Sequence, residues 1–135
     1  MAVRKLYFSD GDNQLVRTID ADRTLRAVVG SEGQGESGDD GPADIAHLQS
    51  PRGLSLDVQG NLYIGTDRGN TIRKVDPDSV ITSLPGAEAG ARAIPDGAGY
   101  LYIDNWSTWK LQVGTRWNLS SHIGGRSLRF GRHKF

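Results

Sequence analysis

Acidic side chains and histidines are the residues of this sequence that could do chemistry. Asp10, Asp12 and Asn13 stand together in the stretch SDGDNQ, which faintly resembles a calcium-binding loop. That loop needs a glycine at its sixth position and an acidic residue at its twelfth, and this stretch has neither. We therefore expect a solvated turn here and no bound metal.

A second candidate is the glycine-rich stretch GSEGQGESGDDG, residues 30–41. A phosphate-binding loop would end in Gly-Lys-Ser or Gly-Lys-Thr at the start of a helix, and no such sequence follows here. The acidic neighbours would also repel phosphate. We expect no cofactor at this stretch.

The histidines give no catalytic pattern. His47, His122 and His133 have no partner at the spacing of a nucleophilic or metal site. Asp57 and Asp96 end the runs RGLSLD and ARAIPD, where aspartates are typical of turns. The pattern favours a non-catalytic protein without catalytic, cofactor-binding or metal-binding residues.

Composition excludes several further classes. Sixteen basic residues balance sixteen acidic ones, so no overall charge attracts nucleic acid or an anionic membrane. No apolar run approaches the roughly 18 residues of a membrane span, and the first ten residues lack the apolar core of a secretory signal. The absence of cysteine excludes disulfides but leaves the cellular compartment open.

An internal repeat organises the elements that must position these residues. Residues 6–30 align without a gap with residues 62–86, sharing Leu-Tyr at the start and an Arg, an Asp and a Gly later. Residues 96–114 match residues 57–75 more loosely. Repeats of this kind, about forty residues long, are typical of propellers and solenoids.

Each copy contains short apolar runs separated by Gly, Asp, Pro or Asn, which is the pattern of strands joined by tight turns. The fold class we predict is all-β: β-propeller blades of four antiparallel strands, about three of them, in an incomplete or open propeller. The chain forms one unit, residues 1–135. Its copies span roughly 3–30, 51–86 and 91–125, with an acidic loop at 31–50 and a basic tail at 126–135.

The stretch SGDDGPADIAHLQSPRGLSLDVQGNLYIGTDRGNTIRKVD, residues 37–76, resembles the bacterial type of NHL repeat. The resemblance implies a propeller, commonly of about six blades, that acts as a binding platform. A minority of the family are lyases that complete peptide amidation, and some animal members bind RNA. The aspartate usual after the second strand is kept as Asp10 but replaced by Thr66 and Asn105 in the later copies.

The order of strands in a blade, A to D from the inside outward, places the B–C turns and the D–A connections on one face. The expected B–C turns are SDGDNQ, GTDRGN and DNWSTW, and residues 31–50 are the expected D–A connection. We name this face the loop face and expect the ligand to bind there, because long loops on a rigid scaffold commonly carry function. Its acidic charge disfavours RNA, which needs a basic surface. Its tryptophans would anchor a protein or peptide, unless they pack between blades. The candidate residues are Asp10, Asp12, Asp39, Asp40, Asp67, Arg68, Trp106 and Trp109.

The remaining expectations concern the core and assembly. One blade of three strands and two of four cannot close a ring, so the chain is either a piece of a longer propeller or half of a homodimer with six blades. The run RSLRF, residues 126–130, would then enter the vacant A position of the partner's first blade. The expected core comprises Leu54, Leu56, Leu62, Ile64, Ile72, Val75, Ile81 and Leu84, with Leu6, Phe8, Val16, Ile19, Leu25 and Val28 as their counterparts.

Overall fold

The structure is a computed structural model. It describes residues 5–66, 71–84 and 93–95 with their side chains, and the backbone of Arg92 and of the strands between residues 100 and 134. No helix in these parts of the chain is long and apolar enough to cross a membrane.

The described residues form thirteen strands and two short 3₁₀ turns, Gly11–Asn13 and Ala43–Ile45. The strands are β1 (Leu6–Asp10), β2 (Leu15–Ile19), β3 (Leu25–Val29), β4 (Gly41–Pro42), β5 (Pro51–Leu56), β6 (Leu62–Thr66), β7 (Arg73–Val75), β8 (Val80–Ser83), β9 (Arg92–Pro95), β10 (Tyr100–Asn105), β11 (Ser107–Gln112), β12 (Arg116–Ile123) and β13 (Arg126–Lys134).

These strands form three antiparallel sheets, which we call the first, second and third blades. The first has the order β1-β2-β3, the second β4-β8-β7-β6-β5 and the third β13-β12-β11-β10-β9. The eleven strands predicted from the sequence are therefore present in the predicted order. The fold is all-β, with propeller-type antiparallel blades. The second and third contain the predicted four strands and one further strand each, β4 and β13, and the first contains three.

Strand register reproduces the sequence repeat. Leu6 lies opposite Ile19 in the first blade, and the aligned residues Leu62 and Val75 lie opposite each other in the second. Phe8 opposite Arg17 likewise corresponds to Ile64 opposite Arg73. Side chains directly opposite in an antiparallel pair share a face of the sheet, so aligned residues occupy equivalent faces of the two blades.

The third blade departs from the gap-free alignment. That alignment would place Gly114 opposite Leu101, but the structure pairs Leu101 with Leu111. The turn predicted at DNWSTW is shorter than expected, because β10 continues to Asn105 and β11 begins at Ser107. Trp109 is therefore a strand residue opposite Ile103 and not a turn residue.

Two strands were not part of the predicted blades. The pair Gly41–Pro42 adds β4 to the outer edge of β8. The tail forms a strand, as expected, but β13 runs to Lys134 and pairs with β12 of its own chain.

The core lies between the first and second blades. It contains Val16, Val29, Ala43, Ala46, Leu48, Leu62, Ile64, Val75 and Ile81, with Tyr7, Val28 and Leu54 packed against it. Ile72 and Leu84 are also buried, as the sequence predicted.

The prediction of burial was wrong for four residues of the expected core. Leu6, Ile19 and Leu25 are 62%, 37% and 56% exposed, because no described element covers the face of the first blade that carries them. Leu56 is 47% exposed although its neighbour Leu62 is buried. Leu56 is the last residue of β5, and the turn that follows it carries the exposed Val58.

Candidate functional site

The connection between the first and second blades, residues 31–50, is named the connecting loop. The sequence predicted a long surface loop, and most of its polar residues are indeed exposed. Ala43, Ala46 and Leu48, however, are 0–1% exposed and belong to the core. The loop is therefore a wedge between two blades, because its small and apolar residues fill the space between the two sheets.

Backbone hydrogen bonds hold this wedge to both blades. The amide of Gly30, at the end of the first blade, donates to the carbonyl of Ala43 at 2.9 Å. On the other side, the amide of Asp40 donates to the carbonyl of Ile81 and that of Ala43 to the carbonyl of Ser79, both at 2.8 Å. The loop crosses the outer edge of the second blade and fixes its position against the first.

A buried arginine, Arg73, joins the two arms of the connecting loop. Arg73 is fully buried, and its two terminal nitrogens donate to the carbonyls of His47 at 2.9 Å and Ser37 at 3.2 Å. It also forms an ion pair of 2.9 Å with Asp39, whose side chain is 40% exposed. Ser83 donates a further hydrogen bond to the same carboxylate at 3.1 Å. Asp39 therefore serves as the counter-charge of a buried cation.

In the first blade, the counter-charge of the aligned arginine comes from the same sheet. Arg17, aligned with Arg73, pairs with Asp10 at 2.9 Å within the sheet. Hydrogen bonds from Asn13 and then from Arg17 hold the pKa of Asp10 below its ordinary value. Thr66 occupies the corresponding position of the second blade and cannot neutralise Arg73, so the connecting loop supplies the carboxylate.

His47 contacts a serine that sequence spacing did not connect to it. The Ser37 hydroxyl lies 2.9 Å from His47 Nδ1, and the His47 amide donates to the Ser37 carbonyl at 3.2 Å. Both contacts join the two arms of the connecting loop. Within the described residues, no group of three or more histidine, aspartate or glutamate side chains could hold a metal ion.

A groove of about 490 Å³ opens at the outer rim between the first two blades. One wall is formed by Ala27 and Val28 of β3, the other by the residues 40–42 and 44 of the connecting loop and by the turn residues 78–80. Three of its lining residues are aspartates, Asp40, Asp44 and Asp78. None of them forms an ion pair with any residue that the structure describes, so the groove is an acidic site with an apolar wall.

The predicted site residues are thus placed differently from one another. Asp10 and Asp39 are paired with arginines, Asp12 is exposed on the turn after β1, and Asp40 lines the groove. Asp67, Arg68 and Trp106 lie outside the described residues, and Trp109 is described only by its backbone. Sequence reasoning missed the groove, since Asp78 and the β3 residues come near the loop only through the packing of two blades.

The turn between β5 and β6 is organised by one carboxylate. The Asp57 carboxylate accepts hydrogen bonds from the amides of Gln59 and Asn61, the Asn61 side chain and the Tyr63 hydroxyl, at 2.8–3.0 Å. Burial alone would raise the pKa of Asp57, but these hydrogen bonds lower it overall. Burial, and then the Asp57 charge, raise the pKa of Tyr63 well above its ordinary range.

No family model matches the chain. In sequence it is 35%, 34% and 33% identical over 95 residues to Teneurin-1 of Homo sapiens, Mus musculus and Gallus gallus. The match covers 61% of this chain but only 3% of each of those proteins.

Among solved structures, a structural genomics protein of unknown function from Bacteroides thetaiotaomicron superposes with a TM-score of 0.64 at 25% identity. The match covers 76% of this chain and 30% of that one. A catalytically inactive virginiamycin B lyase from Staphylococcus aureus, crystallised with quinupristin, reaches a TM-score of 0.47 at 10% identity, over 96% of this chain and 54% of that one. The chain thus has a propeller-type fold and spans 3% of the length of the Teneurin-1 proteins that it matches.

Proposed function

We propose that this chain is a segment of an NHL-type propeller that serves as a non-catalytic binding platform for a protein or peptide. The ligand binds in the acidic groove, where the connecting loop meets the rim of the first blade. The observation that carries the proposal is the set of three aspartates that line one groove without a described cationic partner. Such a groove attracts lysine and arginine side chains.

The groove also offers backbone to an extended ligand. β3 is the last strand of the first blade, whereas the equivalent strand β8 is covered by β4. An extended peptide can add to a free sheet edge, with its backbone hydrogen bonds giving affinity and its side chains giving specificity. Ala27 and Val28 stand on this strand and line the groove. We therefore propose a basic segment in extended conformation as the ligand.

Similarity to other proteins supports the kind of scaffold on which the platform is built. The sequence pattern of residues 37–76 is the part that resembles the NHL repeat. The 25%-identical Bacteroides thetaiotaomicron structure supports the propeller-type fold on which the platform is built.

The test uses a fluorescein-labelled peptide of alternating Val and Lys, with a Val–Glu peptide of the same length for comparison. Fluorescence anisotropy of the full chain measures binding. We expect only the lysine peptide to bind, and its affinity to fall as salt is added, since exposed charges are screened within about 10 Å at 0.1 M.

Variants then locate the site. Asp44→Asn combined with Asp78→Asn should weaken binding about fivefold, as two partly exposed charge contacts predict. Asp12→Asn, which removes an exposed carboxylate outside the groove, should leave binding unchanged. Equal losses in the two variants, or equal binding of the Val–Glu peptide, would refute the groove as the site.

A further inference from the structure

One wall of the acidic groove is a short segment of the connecting loop, residues 40–44, four of which line the groove. The segment begins with Asp40, whose φ of 65° is a left-handed backbone conformation. Aspartate adopts this conformation more readily than most residues do, but it is still uncommon. The Asp40 amide donates to the Ile81 carbonyl at 2.8 Å. A residue in such a conformation keeps it only where the surrounding contacts fix it.

The residue before Asp40 supplies such contacts. The Asp39 carboxylate accepts hydrogen bonds from Arg73 at 2.9 Å and from Ser83 at 3.1 Å. Arg73 lies on β7 and Ser83 on β8, so the carboxylate is tied to two neighbouring strands of the second blade. Neither Asp39 nor Arg73 lines the groove. Apart from their charges, they can therefore affect the groove only through the backbone that joins Asp39 to Asp40.

The guanidinium group of Arg73 is well suited to hold this backbone in place. It is fully buried, and its terminal nitrogens also donate to the carbonyls of Ser37 and His47, on the two arms of the connecting loop. A guanidinium is planar and presents its donors in a rigid fork, so the acceptors around it are fixed relative to one another. Ligands bind more tightly to a site that is already in its bound arrangement.

We propose that Arg73 is a positioning residue of the acidic groove. It holds Asp39, and through it residues 40–44, in the arrangement that receives the basic ligand. This role rests on the proposed function, since it concerns the same site, and it assigns the affinity of the groove partly to a buried side chain that the ligand does not contact.

The sequence repeat provides a comparison within the same chain. Arg17 of the first blade pairs with Asp10 of its own sheet at 2.9 Å. Thr66 stands at the position of Asp10 in the second blade, and Arg73 pairs with the connecting loop instead. Of these two arrangements, only the second makes the position of a loop depend on the buried arginine.

Arg73→Met tests the proposal in the anisotropy assay with the Val–Lys peptide. The substitution removes a positive charge, so by charge alone it should tighten the binding of a cationic peptide. If Arg73 positions the groove, the dissociation constant should instead rise by about threefold or more. Arg17→Met is the matched control, because the Arg17 side chain pairs with Asp10 and not with the loop, and it should not weaken binding. Circular dichroism checks that both variants are folded under the conditions of the assay.

A second pair of variants separates position from stability. Asp39→Asn releases the loop but leaves Arg73 without a counter-charge. Adding Thr66→Asp should give Arg73 a carboxylate at the position that Asp10 has in the first blade, and it restores the net charge of the wild type. We expect the double variant to regain most of the urea midpoint that Asp39→Asn loses, yet to bind the peptide as weakly as Asp39→Asn does.

Wild-type or tighter binding by Arg73→Met would overturn the inference, and so would a double variant that regains affinity together with stability. A wild-type chain that fails to bind the Val–Lys peptide would instead refute the proposed function. Amide hydrogen exchange then still tests the positioning, because it needs no ligand. Arg73→Met should speed exchange of the Asp40 and Ala43 amides, which donate to the carbonyls of Ile81 and Ser79, by about tenfold more than exchange in β2. Equal acceleration in both places would contradict a local role of Arg73.

Discussion

Removing the charge of Asp39 should destabilise the protein although that residue is partly exposed. The substitution Asp39→Asn keeps the size of the side chain but leaves the fully buried Arg73 without its counter-charge. The two carbonyl contacts of Arg73, with His47 and Ser37, stay in place. The change therefore measures how much the charge of Asp39 contributes to the stability of the folded connecting loop.

The magnitude follows from burial. Removing one partner of a fully buried ion pair costs about 3–5 kcal/mol. Water screens the Asp39 side chain, which is 40% exposed, so we expect a loss of about 2 kcal/mol in the free energy of unfolding. For a chain of 135 residues this corresponds to a fall of about 8 °C in Tm.

Urea denaturation at low protein concentration, followed by circular dichroism and tryptophan fluorescence, measures this loss of unfolding free energy. The loss is the shift of the denaturation midpoint multiplied by the slope m, provided that m is unchanged. The control is Asp10→Asn, which breaks the equivalent pair with Arg17. Arg17 is 27% exposed where Arg73 is fully buried, so the control should cost clearly less. Equal losses in both variants would show that burial of the arginine does not set the energy.

A double-mutant cycle of Asp39→Asn with Arg73→Met checks the assignment further. A coupling energy of about 1.5 kcal/mol or more is expected, because the second substitution removes the cation that the carboxylate neutralises. Additive losses would mean that Asp39 stabilises the loop through other contacts, such as the one from Ser83.

Three further predictions test the packing of the connecting loop and the turn at Asp57. Leu48→Ala should cost about 2–4 kcal/mol in urea denaturation, because it leaves a cavity in the core between the blades; a loss under about 1 kcal/mol would contradict that burial. Gly38→Ala should cost more than Gly33→Ala: both glycines have positive φ, but an added Cβ at Gly38 would lie 2.8 Å from the Ala46 Cα. Equal losses would leave φ as the sole cause. The pKa of Asp57 is lowered from 3.8, so its carboxylate stabilises the fold above that pH, and the advantage of the wild type over Asp57→Asn should vanish as pH falls through the lowered pKa. A stability difference that does not change between pH 7 and 2 would refute this one.

The strands and their order could be predicted from the sequence because their signals are local. Short apolar runs, turn pairs and a gap-free repeat predict the strands of the first two blades, and the structure gives both blades the same register, Leu6 with Ile19 and Leu62 with Val75. The third copy, with weaker identity, was also the one whose turn was placed wrongly.

Burial within the connecting loop could not be predicted in the same way. Glycine and acidic residues dominate the stretch, and they concealed the spacing of Ala43, Ala46 and Leu48. The loop is buried because two sheets approach each other, which local propensity does not encode. One signal was available: the repeat conserves an arginine at Arg17 and Arg73 but replaces the aspartate of the first copy by Thr66. That mismatch indicates that the carboxylate which neutralises Arg73 comes from another part of the chain.

The exposure of Leu6, Ile19 and Leu25 could not be predicted for the same reason, because burial between two sheets is not a local property. The pattern of Leu6, Ile19 and Leu25 correctly identifies a face built to be buried, and the aligned residues of the second blade are buried. Whether such a face is covered depends on a neighbouring blade, which the pattern within one blade does not specify.

The wedge has a consequence for how the chain comes apart. Because residues 43–48 belong to the core beneath the second blade, the cooperative unit of unfolding is offset from the repeat seen in the sequence. Amide hydrogen exchange should slow together for β3, the connecting loop and β6 to β8, although repeat boundaries would divide them. Recombination of blades from different propellers should therefore cost less stability when the connecting loop stays with the blade that follows it, because Arg73 and the backbone of β8 bind the loop there.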